Sequence, residues 1–184
     1  MVVVTSFIGL MVAADIVVLL LACDVLESDT LWMMKNITRT SSEDAATILE
    51  LQKLAYQIEA QLYNDFNIPP LTQTLDELKS DINGKIFLKA QAEGTIVGSV
   101  RGYEEGSVCF IERLIVHPDF QGQGIGTALL EQIESCFGHA QRFELFTGHR
   151  SERNIHLYER LGYKIFKNQE INRNLSFVFM EKHK

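Results

Sequence analysis

The chain has 184 residues, 46% of them hydrophobic and 22% charged, enough for one compact core and too apolar for a disordered chain. A net charge of −7 excludes the broad basic surface of a nucleic-acid binder. Cys23, Cys109 and Cys136 are too few for a disulfide framework, and neither Cys-x-x-Cys nor His-x-x-x-His spacing occurs. No metal site is therefore expected, and a reducing, cytoplasmic setting is.

The charge is unevenly placed. Residues 1–33 hold Asp15, Asp24, Glu27 and Asp29 and no Lys or Arg, so they contribute −4 and residues 34–184 the remaining −3. Val2 to Cys23 is almost unbroken apolar sequence, close to the ~20 residues that span a bilayer. Three readings stand for this segment. As a signal peptide it lacks a basic n-region, although Leu20-Leu21-Ala22-Cys23 is loosely like a lipoprotein cleavage box. As a membrane anchor holding the domain in the cytoplasm it has the length, but Asp15 costs about 3 kcal/mol there. The third reading is a misassigned start, because Met33 and Met34 directly precede an ordinary opening into a first strand. The sequence thus divides into a doubtful apolar segment, 1–33, and a domain, 34–184.

A strand is expected from Asn36 to Arg39. Ser41 and the acids Glu43 and Asp44 then open an amphipathic helix, with Ile48, Leu51, Leu54, Ala55, Ile58 and Leu62 at helical spacing to about Tyr63. Pro69-Pro70 is read as its stop. Thr74 to Glu77 caps a second helix ending near Asn83-Gly84. Residues 86–92, 95–103 and 107–117 read as strands joined by hairpin turns at Glu93-Gly94 and Glu104-Glu105-Gly106. A helix over 124–137, a strand over 142–147, a helix over 153–161 and strands near 163–167 and 175–181 complete the order. Phe143, Phe146, Phe166, Phe177 and Phe179 occupy strand positions and are assigned to the core. Hairpins followed by a strand–helix–strand crossover predict a mixed three-layer α/β sheet.

The sharpest signal is His117-Pro118-Asp119-Phe120-Gln121-Gly122-Gln123-Gly124-Ile125-Gly126-Thr127, three glycines in five positions between a strand and a helix. Glycine allows positive φ and close backbone approach, so successive amides can converge on an anion, aided by the helix N-terminus. The loop is not a Walker loop, for it has no lysine, nor a dinucleotide fingerprint, which would need Gly where Thr127 stands. Tight packing alone is the competing explanation for such a turn.

Ile111 to Pro118 running into Gln-x-x-Gly-x-Gly (Gln121, Gly124, Gly126) resembles the acyl-CoA-binding motif of the GNAT superfamily of N-acyltransferases. Asn154-Ile155-His156-Leu157-Tyr158 with Gly162-Tyr163 resembles the family's Asn-x-x-x-Tyr…Gly-Tyr/Phe segment. The resemblance covers nearly everything after Met34. It implies a three-layer α/β (α+β) fold with a mostly antiparallel central sheet flanked by helices. It further implies acetyl-CoA as co-substrate, no metal, and a small-molecule or peptide amine acceptor. Homodimerisation through the terminal strands also belongs to the family pattern.

Residue by residue, the resemblance gives the backbone of Leu114, Ile115 and Val116 to the pantetheine arm. It gives the amides of Gly122, Gln123, Gly124, Ile125, Gly126 and Thr127, with Gln121 opening the loop, to the pyrophosphate. Asn154 matches the Asn near the pantetheine or thioester, and Tyr158 the acid for the departing thiolate. Glu112 is the candidate base, placed by strand alternation on the face of Leu114 and Val116; its competing roles are recognition of a cationic substrate or pairing with Arg113. His117 and His149 are further candidates for the base, Glu144 on the next strand could hold the amine instead, and the N–H near Leu114 is a candidate oxyanion donor. Arg150, Arg153 and Arg160 could meet the 3′-phosphate. Cys109 and Cys136 read as packing residues. The segment from Leu62 to Asp81, with Asp65, Asp76, Glu77 and Asp81, is expected to line the acceptor groove. A CoA-binding sensor without turnover is the alternative function.

Overall fold

Helical periodicity from Ile48 onward yields α1 (Ala45–Tyr63), entered through a capping box in which Asp44 Oδ2 accepts the Ser41 N–H at 2.8 Å. This is a computed structural model, and it describes residues 36–184; the expectations for residues 1–33 lie outside the described residues. Asn64, left-handed at φ 51°, ends α1 well before the two prolines. Pro69 and Pro70 instead start the short α2 (Pro69–Thr72), since proline's fixed φ and missing N–H suit a first turn. Next comes α3 (Leu75–Gly84), where Thr74 and Glu77 form the expected capping box.

The strands are β1 (Ile37–Arg39), β2 (Ile86–Ala92), β3 (Thr95–Glu105), β4 (Val108–Val116), β5 (Arg142–Gly148), β6 (Lys164–Asn172) and β7 (Leu175–His183). Between them lie α4 (Ile125–Cys136) and α5 (Glu152–Arg160). One sheet runs β1-β2-β3-β4-β5-β7-β6, antiparallel except at β4–β5. The turn at Glu93-Gly94 has positive φ at both residues, the twist a two-residue hairpin prefers. The mixed, three-layer α/β architecture expected from the sequence is the one observed.

Two features position everything that follows. First, β4 and β5 pair only from Val108↔Arg142 to Phe110↔Glu144, so from Ile111 onward the two strands part and leave a wedge. Second, β4 carries a bulge: Arg101 pairs with Glu112 and Ser99 with Ile115, and Arg113 takes a φ of 51°. The extra residue breaks the alternation expected from the sequence. Glu112 therefore shares a face with Ile115, which packs against Ile48, Leu51 and Leu78 under α1 and α3. Val116 lies on the opposite face, near Gly126 of α4.

Three other expectations need correction. Phe143 is buried, but Phe146 and Phe166 are 47% and 44% exposed. With Phe177 and Phe179 they gather on the side of β5, β6 and β7 opposite Leu145, Val178 and Met180, with ring centroids 4.8–6.3 Å apart. Leu54, Ile58 and Leu62 similarly form an exposed stripe on α1 rather than its core face. The buried side of α1 is Ala45, Ile48, Leu49, Leu51, Gln52, Ala60 and Tyr63, so Ile48 and Leu51 are where the spacing puts them. The last strands are also longer than expected, because β6 is an edge strand and its exposed polar residues hide its alternation.

Tyr63 ties α1 to the end of β5. Its hydroxyl accepts the Arg150 N–H at 2.7 Å, and its ring lies on Gly148 so closely that a Cβ there would sit 2.3 Å from the hydroxyl. Gly148→Ala should therefore cost about 1–3 kcal/mol, lowering the melting temperature by several degrees. A melt within one degree of the parent would show that the ring is not held there.

Candidate active site

The wedge begins where β4 loses its partner. Leu114, Ile115 and Val116 lie beyond the last β5 pairing, and Ile115 and Val116 keep their β3 partners Ser99 and Gly98, so only the outer backbone edge is left unused by β5. The strand then turns through Pro118–Phe120, where His117 Nδ1 accepts the Asp119 N–H at 3.3 Å, a structural task for that histidine. Gly122 and Gly124 follow at φ 82° and 84°, a conformation that other residues adopt only with strain. Gly124 is the N-cap of α4, and the first helical bond runs from the Ala128 N–H to the Gly124 carbonyl at 3.0 Å. The amides of Ile125, Gly126 and Thr127 thus precede the helical ladder and add to the positive end of the dipole. An added Cβ at Gly122 would meet nothing within 4 Å, so the cradle is open above the turn. The residues present fit a pyrophosphate on amides and a pantetheine along β4.

Gln121 does something the sequence did not suggest. Its Nε2 donates to the Val116 carbonyl at 3.0 Å, and its Oε1 accepts from Arg153 Nη1. It therefore fastens the end of β4 to α5.

Asn154 and Tyr158 stand on α5, the helix that Arg153 and Gln121 tie to the end of β4. Tyr158 is buried at 6% exposure, and among the described residues its hydroxyl has no hydrogen-bond partner. Burial, with Tyr56 and Glu59 nearby, raises its pKa above the ordinary phenol value, so it stays protonated. Asn154 Nδ2 lies 3.5 Å from both Thr147 Oγ1 and Glu59 Oε1.

Glu112 is drawn into a charged network instead of pairing with Arg113. Its Oε2 accepts from Lys85 Nζ at 2.7 Å and Arg101 Nε at 3.0 Å. Arg101 also holds Asp81 at 2.8 Å, and Asp81 in turn accepts from Gln73. Arg113 lies over the Tyr56 ring, 5.4 Å from its centroid. Glu144 is ion-paired with Arg142, and His149 Nδ1 accepts the Ser176 N–H at 3.1 Å. Three acids of the expected acceptor segment have local duties: Asp65 accepts the Asn67 N–H, Glu77 caps α3, and Asp81 pairs with Arg101. Cys109 is buried beside Glu104 and Glu134, which pushes its thiol up to about 12 and leaves it a packing residue. Among the described residues no group of three or more His, Cys, Asp or Glu is gathered as a metal would require, and no helix is long and apolar enough to cross a membrane.

Glu59 and Ser151 were missed in the sequence. Glu59 Oε2 accepts from Ser151 Oγ at 2.7 Å, which places an α1 carboxylate at the start of α5. The available signal was helical spacing, for Glu59 shares a stripe with Gln52, Tyr56 and Tyr63, all turned toward the sheet side of α1.

Comparison with known proteins agrees with this fold. A family model described as the GNAT acetyltransferase family matches residues 47–163. An acetyltransferase of Yersinia pestis (strain Pestoides F) is 32% identical over 90 residues, 48% of this chain, and the chain spans 64% of that relative's length. Among solved structures, a GNAT-family acetyltransferase from Streptococcus pneumoniae superposes with a TM-score of 0.65 at 20% identity. That match covers 80% of this chain and 97% of the other. The PaiA N-acetyltransferase from Thermoplasma acidophilum, solved with coenzyme A, gives 0.68 at 18% identity over 80% and 98% of the two chains. With the parted strands, the glycine turn and a family match over most of its length, this chain belongs to the GNAT acetyltransferase family.

Proposed function

We propose that this protein moves the acetyl group of acetyl-CoA onto the primary amine of an acceptor by direct attack, without an acyl-enzyme. The observation that carries this reading is the continuity of β4's free edge with the glycine turn and the start of α4, with Gln121 tying the end of β4 to α5, the helix that bears Tyr158. The similar Thermoplasma protein was solved with coenzyme A, which supports the same use of the cradle here. Acetyl-CoA supplies an activated thioester carbonyl. The backbone of Leu114, Ile115 and Val116 aligns the pantetheine arm, and the amides from Gly122 to Thr127 share the pyrophosphate charge. The Leu114 N–H polarises the carbonyl oxygen, and Asn154 borders the thioester. Tyr158, kept neutral by burial, donates its proton to the departing sulfur.

Titrating acetyl-CoA calorimetrically into the full-length protein, then measuring thiol release with a panel of primary amines, tests the reading. Micromolar binding with amine-dependent thiol release is expected. Failure to bind would overturn it, and binding without release from any amine would favour a CoA-binding regulatory role. Tyr158→Phe should lower kcat about 100-fold while the dissociation constant for acetyl-CoA stays unchanged. Because its pKa is raised, the phenol should not titrate below about pH 10, so both proteins should show the same pH–rate shape up to there. A Tyr158→Phe variant with full kcat would remove the acid assignment.

A further inference from the structure

Three carboxylates, Glu59 on α1, Glu112 on β4 and Glu144 on β5, differ in their company. Glu112 is shared between Lys85 and Arg101, and Glu144 is paired with Arg142. Glu59 has no ion-pair partner among the described residues. Its contacts are neutral donors: Ser151 Oγ at 2.7 Å holds one oxygen, and Asn154 Nδ2 approaches the other only to 3.5 Å. Two cations do reach α1 on either side of it, but both are engaged elsewhere. Arg113 lies over the Tyr56 ring, and Arg150 Nη1 donates to the Leu62 carbonyl at 3.1 Å.

A half-buried carboxylate held only by neutral hydrogen bonds has no cation to offset its charge, and an arriving cation relieves it best. The oxygen toward Asn154 retains accepting capacity. Its contacts, Ser151 and Asn154, belong to the N-terminal end of α5, the helix that also bears Tyr158, so the carboxylate stands beside that helix.

We infer that Glu59 is the acceptor-side group: it seats a cationic primary amine as its ammonium and takes one proton from it. This rests on the acetyl-transfer reading above and deepens it. The ammonium loses a proton to the Glu59 carboxylate, leaving a neutral amine whose lone pair forms the C–N bond to the thioester carbon. As the C–S bond breaks, the sulfur takes the Tyr158 proton, and the second nitrogen proton returns to the tyrosyl oxygen. The products are the acetamide, the free thiol and one proton on Glu59, which leaves to solvent. The arrangement selects amines that are protonated before they bind.

Steady-state kinetics of the full-length protein and its Glu59→Gln, Glu59→Asp and Ser151→Ala variants test this with a series of alkyl mono- and diamines. Gln keeps an oxygen for the Ser151 hydroxyl, so Glu59→Gln should bind acetyl-CoA within about twofold of the parent and melt within a few degrees. Its kcat/KM for the amine should fall at least ~100-fold, and Glu59→Asp should recover part of that loss. Ser151→Ala reports the structural share alone and should leave amine KM within about threefold. Glu59→Gln with amine kcat/KM near the parent's would overturn the assignment while leaving acetyl transfer standing. So would a loss in Ser151→Ala as large as that in Glu59→Gln. A parent protein that binds acetyl-CoA yet acetylates no amine would remove both readings together.

Discussion

Gly124→Glu is expected to raise the dissociation constant for acetyl-CoA by at least ~100-fold, with the fold retained. Two effects combine. At φ 84° any side chain is strained, by about 1–3 kcal/mol at such positions. The carboxylate would also stand at the N-cap of α4, where the amides and dipole otherwise receive an anion. Gly124→Ala separates the two, since it keeps the strain and omits the charge. It should lose about tenfold and melt a few degrees lower, whereas Gly124→Glu loses far more binding for a similar melt. Calorimetry with thermal melts of both variants checks this. Equal affinity in Gly124→Glu and the parent would mean that the turn packs the helix and binds nothing.

Arg101→Ala should be the most destabilising of these substitutions, lowering stability by about 3 kcal/mol and the melting temperature by roughly 6–12 °C. Arg101 is 5% exposed and its guanidinium bridges Asp81 and Glu112, while Lys85 also serves the latter. Removing it leaves two carboxylates, each about a quarter exposed, facing one remaining lysine. Their partial exposure keeps the figure at the low end for a broken buried pair. The network continues through Gln73 to Gln52, whose Nε2 also reaches the Pro70 carbonyl at 2.9 Å, so the loss should loosen α2 and α3 against α1. Chemical denaturation is the measurement, and a midpoint equal to the parent's would show the bridge to be incidental. The same network gives Glu112→Gln a stability cost, which must be subtracted before any lost activity is assigned to chemistry.

Much of this molecule was legible in order along the chain. Capping residues, helical spacing and glycine turns located most helices and strands to within a few residues, because those signals depend on neighbours in sequence. The outline of β4, the glycine turn and the helix bearing Tyr158 were legible for the same reason, each lying in a short contiguous motif. What could not be read depended on partners far away. Glu112 was turned to another face by one extra residue at Arg113, and strand alternation contains no mark of a bulge. Phe146 and Phe166 carry the same apolar signal as Phe143, yet only sheet order decides which face a helix covers. Glu59 and Ser151 are 92 positions apart, so their meeting exists only after α1 folds over the end of β5. Local signals along the chain were therefore enough for the element order, the family pattern and the glycine turn. Which of Glu59, Glu112 and Glu144 are neutralised, and which is left without a cation, was settled only by the folded arrangement, since charge pairing follows distance in space and not along the chain.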